Sequence, residues 1–255
     1  MDKESFHICD VDETNARHVG TVFRAVYGED FPARIVYDPA KLWREIEQDQ
    51  LLAALVLTET NEPIGYLSFF KSAPNPRLWE AGNLMVIPEY AQTDVAMALA
   101  QYGIGQLTSQ LRLSDGIFGE AVCSHYFTQV NGIKSGMVDC ALELDQLDGS
   151  SFKDGKSNKA GLARVSCLLH YQEFSDPTEP EYLPARYADI LQQLASPLRS
   201  RTFRASTADL PLTGMTSREE KYYETAQSWK IAVHSVGGDW QDFVVTAVAE
   251  AERRQ

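Results

Sequence analysis

Residues 84–90 decide how this chain folds, and they read Leu84-Met85-Val86-Ile87-Pro88-Glu89-Tyr90. The apolar run before Pro88 predicts a buried strand over Leu78–Val86, because a proline interrupts the hydrogen-bonded ladder of a sheet. Residues 93–112 follow with apolar side chains at near-fourfold spacing, which predicts a helix. A buried strand that passes directly into a helix is typical of sheets covered by helices.

The sequence on both sides of this unit supplies further strands and helices. Before it we predict the strand Phe6–Asp10, a helix that ends near Gly28, a helix opened by Asp38, and the hairpin of Leu52–Leu57 and Ile64–Phe70. After it come the strand Ile117–Cys123, the helix Phe127–Ser135, and the strands Met137–Leu144 and Ala163–Phe174. The predicted fold class is α/β (α+β), a mixed central sheet flanked by helices over residues 1–174. Residues 175–182 predict a linker to a small α+β module over 175–255.

The composition excludes several classes of protein. Of 255 residues, 44% are hydrophobic and 23% are charged, so fibrous and disordered classes are excluded. The net charge is −13, and residues 1–150 hold 10 of the 23 basic and 22 of the 36 acidic side chains. Such an acidic surface repels nucleic acid and anionic lipid, so we expect neither as a partner. We also expect no membrane span, because no apolar run approaches the ~18–20 residues that one needs.

The four cysteines predict a reducing environment. Cys9, Cys123, Cys140 and Cys167 are widely spaced within apolar segments, and no C-x-x-C pair or Cys/His cluster accompanies them. This spacing predicts buried free thiols and no metal site. The charged N-terminus lacks the apolar region of a signal peptide, so we expect a cytoplasmic protein.

Three motifs resemble the GNAT N-acetyltransferase superfamily, and the resemblance covers about residues 5–174. Residues 84–90 resemble the hydrophobic-V-x-P-E-Y end of the family's fourth strand. Residues 119–125, followed by Thr128-Gln129 and by residues 134–137 (Lys-Ser-Gly-Met), resemble a subgroup with a His and a Ser/Thr-Gln pair before the family's K-x-G-F signature. Residues 182–187 resemble the start of an appended C-terminal module in that subgroup.

The resemblance implies acetyl-CoA, or another acyl-CoA, as the co-substrate. In such folds two parallel strands splay apart and their free backbone groups hold the pantetheine arm, while the pyrophosphate lies at a helix N-terminus. The implied cofactor-binding residues on the strand and in the loop after it are Leu84, Met85, Val86, Gln92, Thr93, Asp94, Val95 and Ala96. Thr128 and Asn131 are further candidates for cofactor contacts, with capping of the helix Phe127–Ser135 as the alternative role.

Asp94 departs from the family pattern, because it stands where the phosphate loop R/Q-x-x-G-x-G/A has its first glycine. Two like charges about 4 Å apart repel by about 4 kcal/mol at a protein surface. We therefore expect Asp94 to weaken cofactor binding and to cap the following helix with its own side chain. An ordinary capped helix that binds no ligand is the alternative interpretation.

Acyl transfer to an amine needs a base and an acid. Glu80 matches a common position of the family's general base, and burial beside apolar neighbours would raise its pKa; an exposed strand carboxylate is the alternative. Gly132 stands where many relatives have the catalytic Tyr, so the acid is unassigned. His125 is the best candidate for a second proton-transfer group. The alternative is that His125 has a purely structural role. Asp139 and Glu143 are both predicted to point outward from their strand.

The sequence therefore predicts an N-acyltransferase that moves an acetyl or other acyl group from coenzyme A to the amine of a small molecule. The acidity of residues 1–150 favours a cationic amine as the acceptor. The sequence leaves open whether the protein forms a homodimer. The competing hypothesis is a GNAT fold that has lost catalysis and serves as a binding or regulatory module. The departures from the family pattern at Asp94 and Gly132 support this hypothesis.

Overall fold

A computed structural model describes most of the chain. It covers residues 5–29, 31, 33–73, 75–107, 109, 114–124, 126–148, 164–207, 209, 213–223 and 228–254. The sequence of residues 148–161, rich in Gly, Ser and Lys, predicts a loop. This loop, apart from the backbone of residue 148, and the candidate His125 lie outside the described residues.

A seven-stranded mixed sheet forms the centre of the molecule, in the spatial order β1-β2-β3-β4-β5-β7-β6. Its strands are β1 Phe6–Asp10, β2 Leu51–Thr58, β3 Pro63–Phe70, β4 Leu78–Val86, β5 Gly116–Val122, β6 Val138–Asp148 and β7 Arg164–Glu173. Neighbouring strands of this sheet pair antiparallel, except that β4 and β5 pair parallel. The predicted mixed sheet is confirmed.

Four helices lie against the two faces of this sheet. They are α1 Arg17–Tyr27, α2 Pro39–Glu47, α3 Val95–Tyr102 and α4 Phe127–Lys134. Three of them, α1, α2 and α3, bury apolar side chains in the core. On one face, Phe23 of α1 and Leu42 of α2 pack with Tyr66 of β3. On the other face, Leu99 of α3 packs with Trp79 of β4. Burial of large apolar side chains on both faces stabilises the sheet.

Within the helix predicted over residues 93–112, the described residues are α-helical over Val95–Tyr102 and again helical at residue 109, with a π-helical turn between them. Helix α3 ends at Tyr102 and continues as this π-helical turn, Gly103–Leu107. The two elements meet at Gly103, where an added Cβ would lie 2.2 Å from Cδ2 of Leu67. Glycine at this position therefore lets the helix pack closely on β3, and a larger residue would require the Leu67 side chain to move.

The C-terminal residues add two small two-stranded sheets and two helices. These elements are β8 Glu181–Leu183, α5 Ala188–Ala195, β9 Phe203–Ala205, β10 Ser217–Tyr223, β11 Ser228–Ser235 and α6 Trp240–Arg254. Strand β8 pairs parallel with β9, and β10 pairs antiparallel with β11. None of the helices in the described part of the chain is both long and apolar enough to cross a bilayer.

The prediction of a linker over residues 175–182 is wrong at its end, because β8 begins at Glu181. Arg201 explains why this segment is ordered. Its guanidinium Nε donates to Glu181 Oε1 over 2.6 Å, and its Nη atoms pair with the carboxylate of Glu173 in β7. The Arg201 and Glu173 side chains are only 9% and 6% exposed. A buried ion pair therefore joins the C-terminal segment to the central sheet.

Candidate active site

Strands β4 and β5 separate from one another along their length. Their parallel pairing joins Leu78–Glu80 to Gly116–Phe118 and stops there, although β4 continues to Val86 and β5 to Val122. At the vertex, a Cβ added to Gly119 would lie 3.2 Å from the Ala81 carbonyl oxygen. Beyond this point the facing edges of the two strands form an open wedge, and their backbone groups are available to a ligand.

A bulge in β4 directs the strand away from β5. The register between β3 and β4 shifts between Tyr66 and Ser68, and Asn83 adopts a left-handed conformation with φ of 56°. The Asn83 side-chain amide Nδ2 donates to Ser68 Oγ over 3.1 Å and holds this conformation. Bulges bend the bulged strand and increase its local twist, so this one explains where the wedge opens.

Glu80 lies at the vertex of the wedge, on the last residue pair of β4 and β5. Ser72 Oγ donates a hydrogen bond of 2.5 Å to Glu80 Oε2. Burial, followed by the nearby charge of Glu120, raises the pKa of Glu80 to about 7, although the Ser72 hydrogen bond acts in the opposite direction. A carboxyl group that titrates near neutrality can take up and release a proton at cellular pH.

Glu120 and Glu143 lie near Glu80 on the same face of the sheet, and we call Glu80, Glu120 and Glu143 the carboxyl cluster. Glu120 lies two residues beyond Phe118, the partner of Glu80, so both side chains point to the same face. Glu143 of β6 lies opposite Cys167 of β7 on that face. Burial, followed by the charge of Glu120, raises the pKa of Glu143.

Lys230 of β11 approaches this cluster from the C-terminal hairpin. Its Nζ donates to Glu120 Oε1 over 2.9 Å. Burial lowers the pKa of Lys230, but attraction to Glu120, Glu80 and Glu143 outweighs burial, so the net pKa is raised. An ammonium ion of this chain is therefore held over β5, beside the wedge. No pattern in the sequence pointed to Lys230.

Asp139 is exposed, as predicted for an outward position, whereas Glu143 is only partly exposed. The register between β6 and β7 shifts between Asp139 and Ala141, so Asp139 faces His170 while Glu143 faces Cys167. The extra residue, Cys140, moves the two carboxyl groups to opposite faces of the sheet. Glu143 Oε2 is buried and has no hydrogen-bond partner among the described residues.

The loop between β4 and α3 is largely exposed at Gln92, Thr93 and Asp94, whereas Val95 is buried in the core. Thr93 Oγ1 donates to the Tyr90 carbonyl oxygen over 2.6 Å and accepts a long bond of 3.4 Å from the Val95 N–H. The expectation that Asp94 caps the helix is wrong, because its side chain makes no capping hydrogen bond. Thr93 forms the local turn instead.

Solved acetyltransferase structures have the same strand arrangement at very low sequence identity. The ribosomal-protein-S5-alanine acetyltransferase from Vibrio fischeri superposes with a TM-score of 0.53 at 12% identity, over 69% of this chain and 97% of that one. A GNAT-family acetyltransferase from Streptococcus pneumoniae gives 0.52 at 10% identity, over 66% and 99%. The chain has the GNAT fold.

A third structure carries a ligand. It is an acetyltransferase from Salmonella typhimurium with its cofactor acetyl-CoA, and it gives a TM-score of 0.51 at 12% identity, over 69% of this chain and 98% of that one. No family model matches the sequence, and no curated protein matches it in sequence. The likeness therefore concerns the fold.

The imidazole of His170 lies directly against Gly132, the residue that stands where the sequence resemblance implies a tyrosine. Gly132 of α4 packs on His170 of β7, and an added Cβ would lie 3.1 Å from the imidazole Cγ. His170 is 2% exposed, and its Nδ1 lies 2.8 Å from Asp139 Oδ1, although the two are not aligned for a hydrogen bond. A tyrosine at residue 132 would displace this imidazole, which explains the glycine.

The remaining candidate residues lie in or near β4 and α4. Met85 is buried in the core, while Leu84 and Val86 pack at its margin, so their backbone edge is what they offer to a ligand. Thr128 lies in the first turn of α4, and its Oγ1 is buried with no hydrogen-bond partner among the described residues. Asn131 lies one turn further along the same helix. Cys123 is exposed, unlike the buried thiol predicted for it.

Proposed function

We propose that this protein is an acyl-CoA-dependent N-acyltransferase whose acceptor is the amine of a small molecule. The observation that carries the proposal is the wedge between β4 and β5 with Glu80 at its vertex. The wedge offers unpaired backbone edges, and Glu80 offers a carboxyl group that exchanges a proton near neutral pH.

The residues present fit an acyl-CoA. The backbone edge of Leu84, Met85 and Val86 would pair with the pantetheine arm, and the N-terminus of α3, from Gln92 to Ala96, would hold the pyrophosphate. Asp94 would repel the phosphates, so we expect modest affinity. Thr128 Oγ1 and Asn131 of α4 would contact the cofactor nearer its reactive end. When bound, this group supplies an activated thioester.

Glu80 would act as the base in this proposal. A primary amine is protonated at neutral pH, and it must lose a proton before it can attack a thioester. Glu80, with a pKa of about 7, is matched to that transfer. Glu120 and Glu143 lie on the same face and would attract a cationic acceptor. His125 stays the candidate for a second proton transfer.

A GNAT-fold binding module without catalysis is the second candidate. The observation in its favour is the packing of His170 against Gly132, because it leaves no space for a tyrosine at the usual position of the acid. On this hypothesis the wedge binds a ligand, and Glu80 contributes only charge.

Calorimetry and thiol release separate the two candidates. Acetyl-CoA should bind the intact protein, and Asp94→Gly should bind it more tightly. Thiol release should then rise when a panel of small amines is added, and Glu80→Gln should abolish the increase while Glu59→Gln, in the exposed β2–β3 turn, should not. Binding without amine-dependent thiol release would favour the binding module. No binding in either protein would refute both the cofactor assignment and the enzyme.

A further inference from the structure

Lys230 is the amine that this chain itself brings to the proposed acceptor side of the site. Strand β11 carries it, and its Nζ lies 2.9 Å from Glu120 Oε1. Glu120 is two residues beyond the last pair that joins β4 to β5. The ammonium therefore lies just past the vertex of the wedge, on the face that carries Glu80.

The surroundings of Lys230 have the charge that a binding site for a cationic amine acceptor needs. Attraction to all three members of the carboxyl cluster holds the ammonium in place. The side chain is nevertheless 40% exposed, so it is not sealed inside the protein. Lys71 provides a contrast, because its Nζ lies 4.9 Å from the centroid of the Trp79 ring, and Trp79 packs on the other face of the sheet.

We propose that Lys230 is an acylation site of this protein and that the acyl group is transferred to it within the same molecule. The inference rests on the proposed function, since it uses the same wedge and the same base. It also names the acceptor chemistry that the site takes: a primary alkylammonium held by carboxylates.

The step balances with acyl-CoA as the only co-reactant. The Lys230 ammonium gives one proton to the Glu80 carboxylate, and its lone pair forms a bond to the acyl carbon. The carbon–sulfur bond of the thioester breaks and its electron pair remains on sulfur. The nitrogen loses its second proton as the amide forms, and the thiolate takes up that proton. The products are a neutral amide at Lys230 and free coenzyme A. Because the amide carries no charge, the ion pair with Glu120 is lost.

The test is site-resolved mass spectrometry of the full-length protein after incubation with acetyl-CoA. Lys230 should gain one acetyl group faster than Lys41, whose side chain is 64% exposed, and faster than Lys71. The fractional rate should not change with protein concentration, because the reaction is intramolecular. Glu80→Gln should slow labelling of Lys230 by on the order of 100-fold, as expected for loss of a general base, and Glu59→Gln should not.

Lys230→Arg keeps the positive charge beside Glu120 but cannot accept the acyl group, so it should lose the label while it stays folded. Equal labelling of Lys230 and Lys41, unaffected by Glu80→Gln, would mean chemical acetylation only and would overturn the inference. Amine-dependent thiol release with an unlabelled Lys230 would also overturn it, while the proposed function would stand. An absence of both acetyl-CoA binding and thiol release would refute the proposed function itself.

Discussion

Replacement of Glu80 by Gln tests the electrostatics of the site through protein stability, independently of any substrate. Glutamine has nearly the same shape, and its carbonyl oxygen can still accept the hydrogen bond from Ser72, but it cannot ionise. In the folded protein the pKa of Glu80 is raised from its usual value of 4.5 to about 7. That difference corresponds to about 3 kcal/mol of unfolding free energy.

The sign follows from proton binding. Between about pH 4.5 and pH 7 the folded chain keeps a proton on Glu80 that the unfolded chain has released. The contribution of Glu80 to the free energy of unfolding therefore falls as the pH rises from about 4.5 to 7. Above pH 7 the ionised carboxylate destabilises the fold by the full ~3 kcal/mol. We expect Glu80→Gln to be more stable than the natural protein by about 3 kcal/mol near pH 8.5 and by less than about 1 kcal/mol near pH 5.

Urea unfolding at the two pH values, followed by tryptophan fluorescence, measures both differences. Glu59→Gln is the matched control, because this exposed residue should change stability equally at the two pH values. A difference between Glu80→Gln and the natural protein that is the same near pH 5 and pH 8.5 would refute the reasoning. So would a glutamine variant that is less stable near pH 8.5, because the ionised carboxylate would then stabilise the fold.

Substitutions at Arg201, Gly132 and Asn83 test three contacts that stabilise the fold around the site. Arg201→Ala should lower the free energy of unfolding by about 3–5 kcal/mol, because it leaves the buried Glu173 carboxylate without its cation, and a loss below about 1 kcal/mol in urea unfolding would contradict the ion pair. Gly132→Tyr should lower the free energy of unfolding far more than Gly132→Ala, because the tyrosine ring clashes with His170. In a double-mutant cycle, adding His170→Ala to Gly132→Tyr should restore part of the lost stability. Strictly additive losses would show that the two positions do not clash. Asn83→Val should cost about 1–2 kcal/mol because of the positive φ, whereas Asn83→Gly should cost less; equal losses would exclude backbone strain as the cause.

The parts of the fold with a regular apolar period could be predicted from the sequence. The bounds Leu78–Val86 are the same in the prediction and in the structure, because the apolar run and the Pro88 that follows it are both local signals. Glu80 could be selected on the same strand because its residue type and position suit a base. Its pKa depends on Glu120, which comes 40 residues later, and only the sheet brings the two together.

The features that could not be predicted depend on irregular backbone or on distant partners. A single extra residue at Cys140 reverses the direction of Glu143 relative to Asp139, and no composition signal marks such a bulge. The space at Gly132 is taken by His170, from a strand that follows much later in the chain. Asp94 stands at the start of its helix as predicted, but the preceding Thr93 makes the local hydrogen bonds.

The contact between Lys230 and Glu120 has a consequence for folding during synthesis. The two residues are 110 positions apart. At a synthesis rate of about 5–20 residues per second, Lys230 is added roughly 5–20 s after Glu120. Because domains generally fold from the N-terminus during synthesis, we expect the central sheet to bring Glu80 and Glu120 together once β7 has been made, before Lys230 is added. Until Lys230 is made, this part of the sheet lacks the ammonium that pairs with Glu120 in the finished protein.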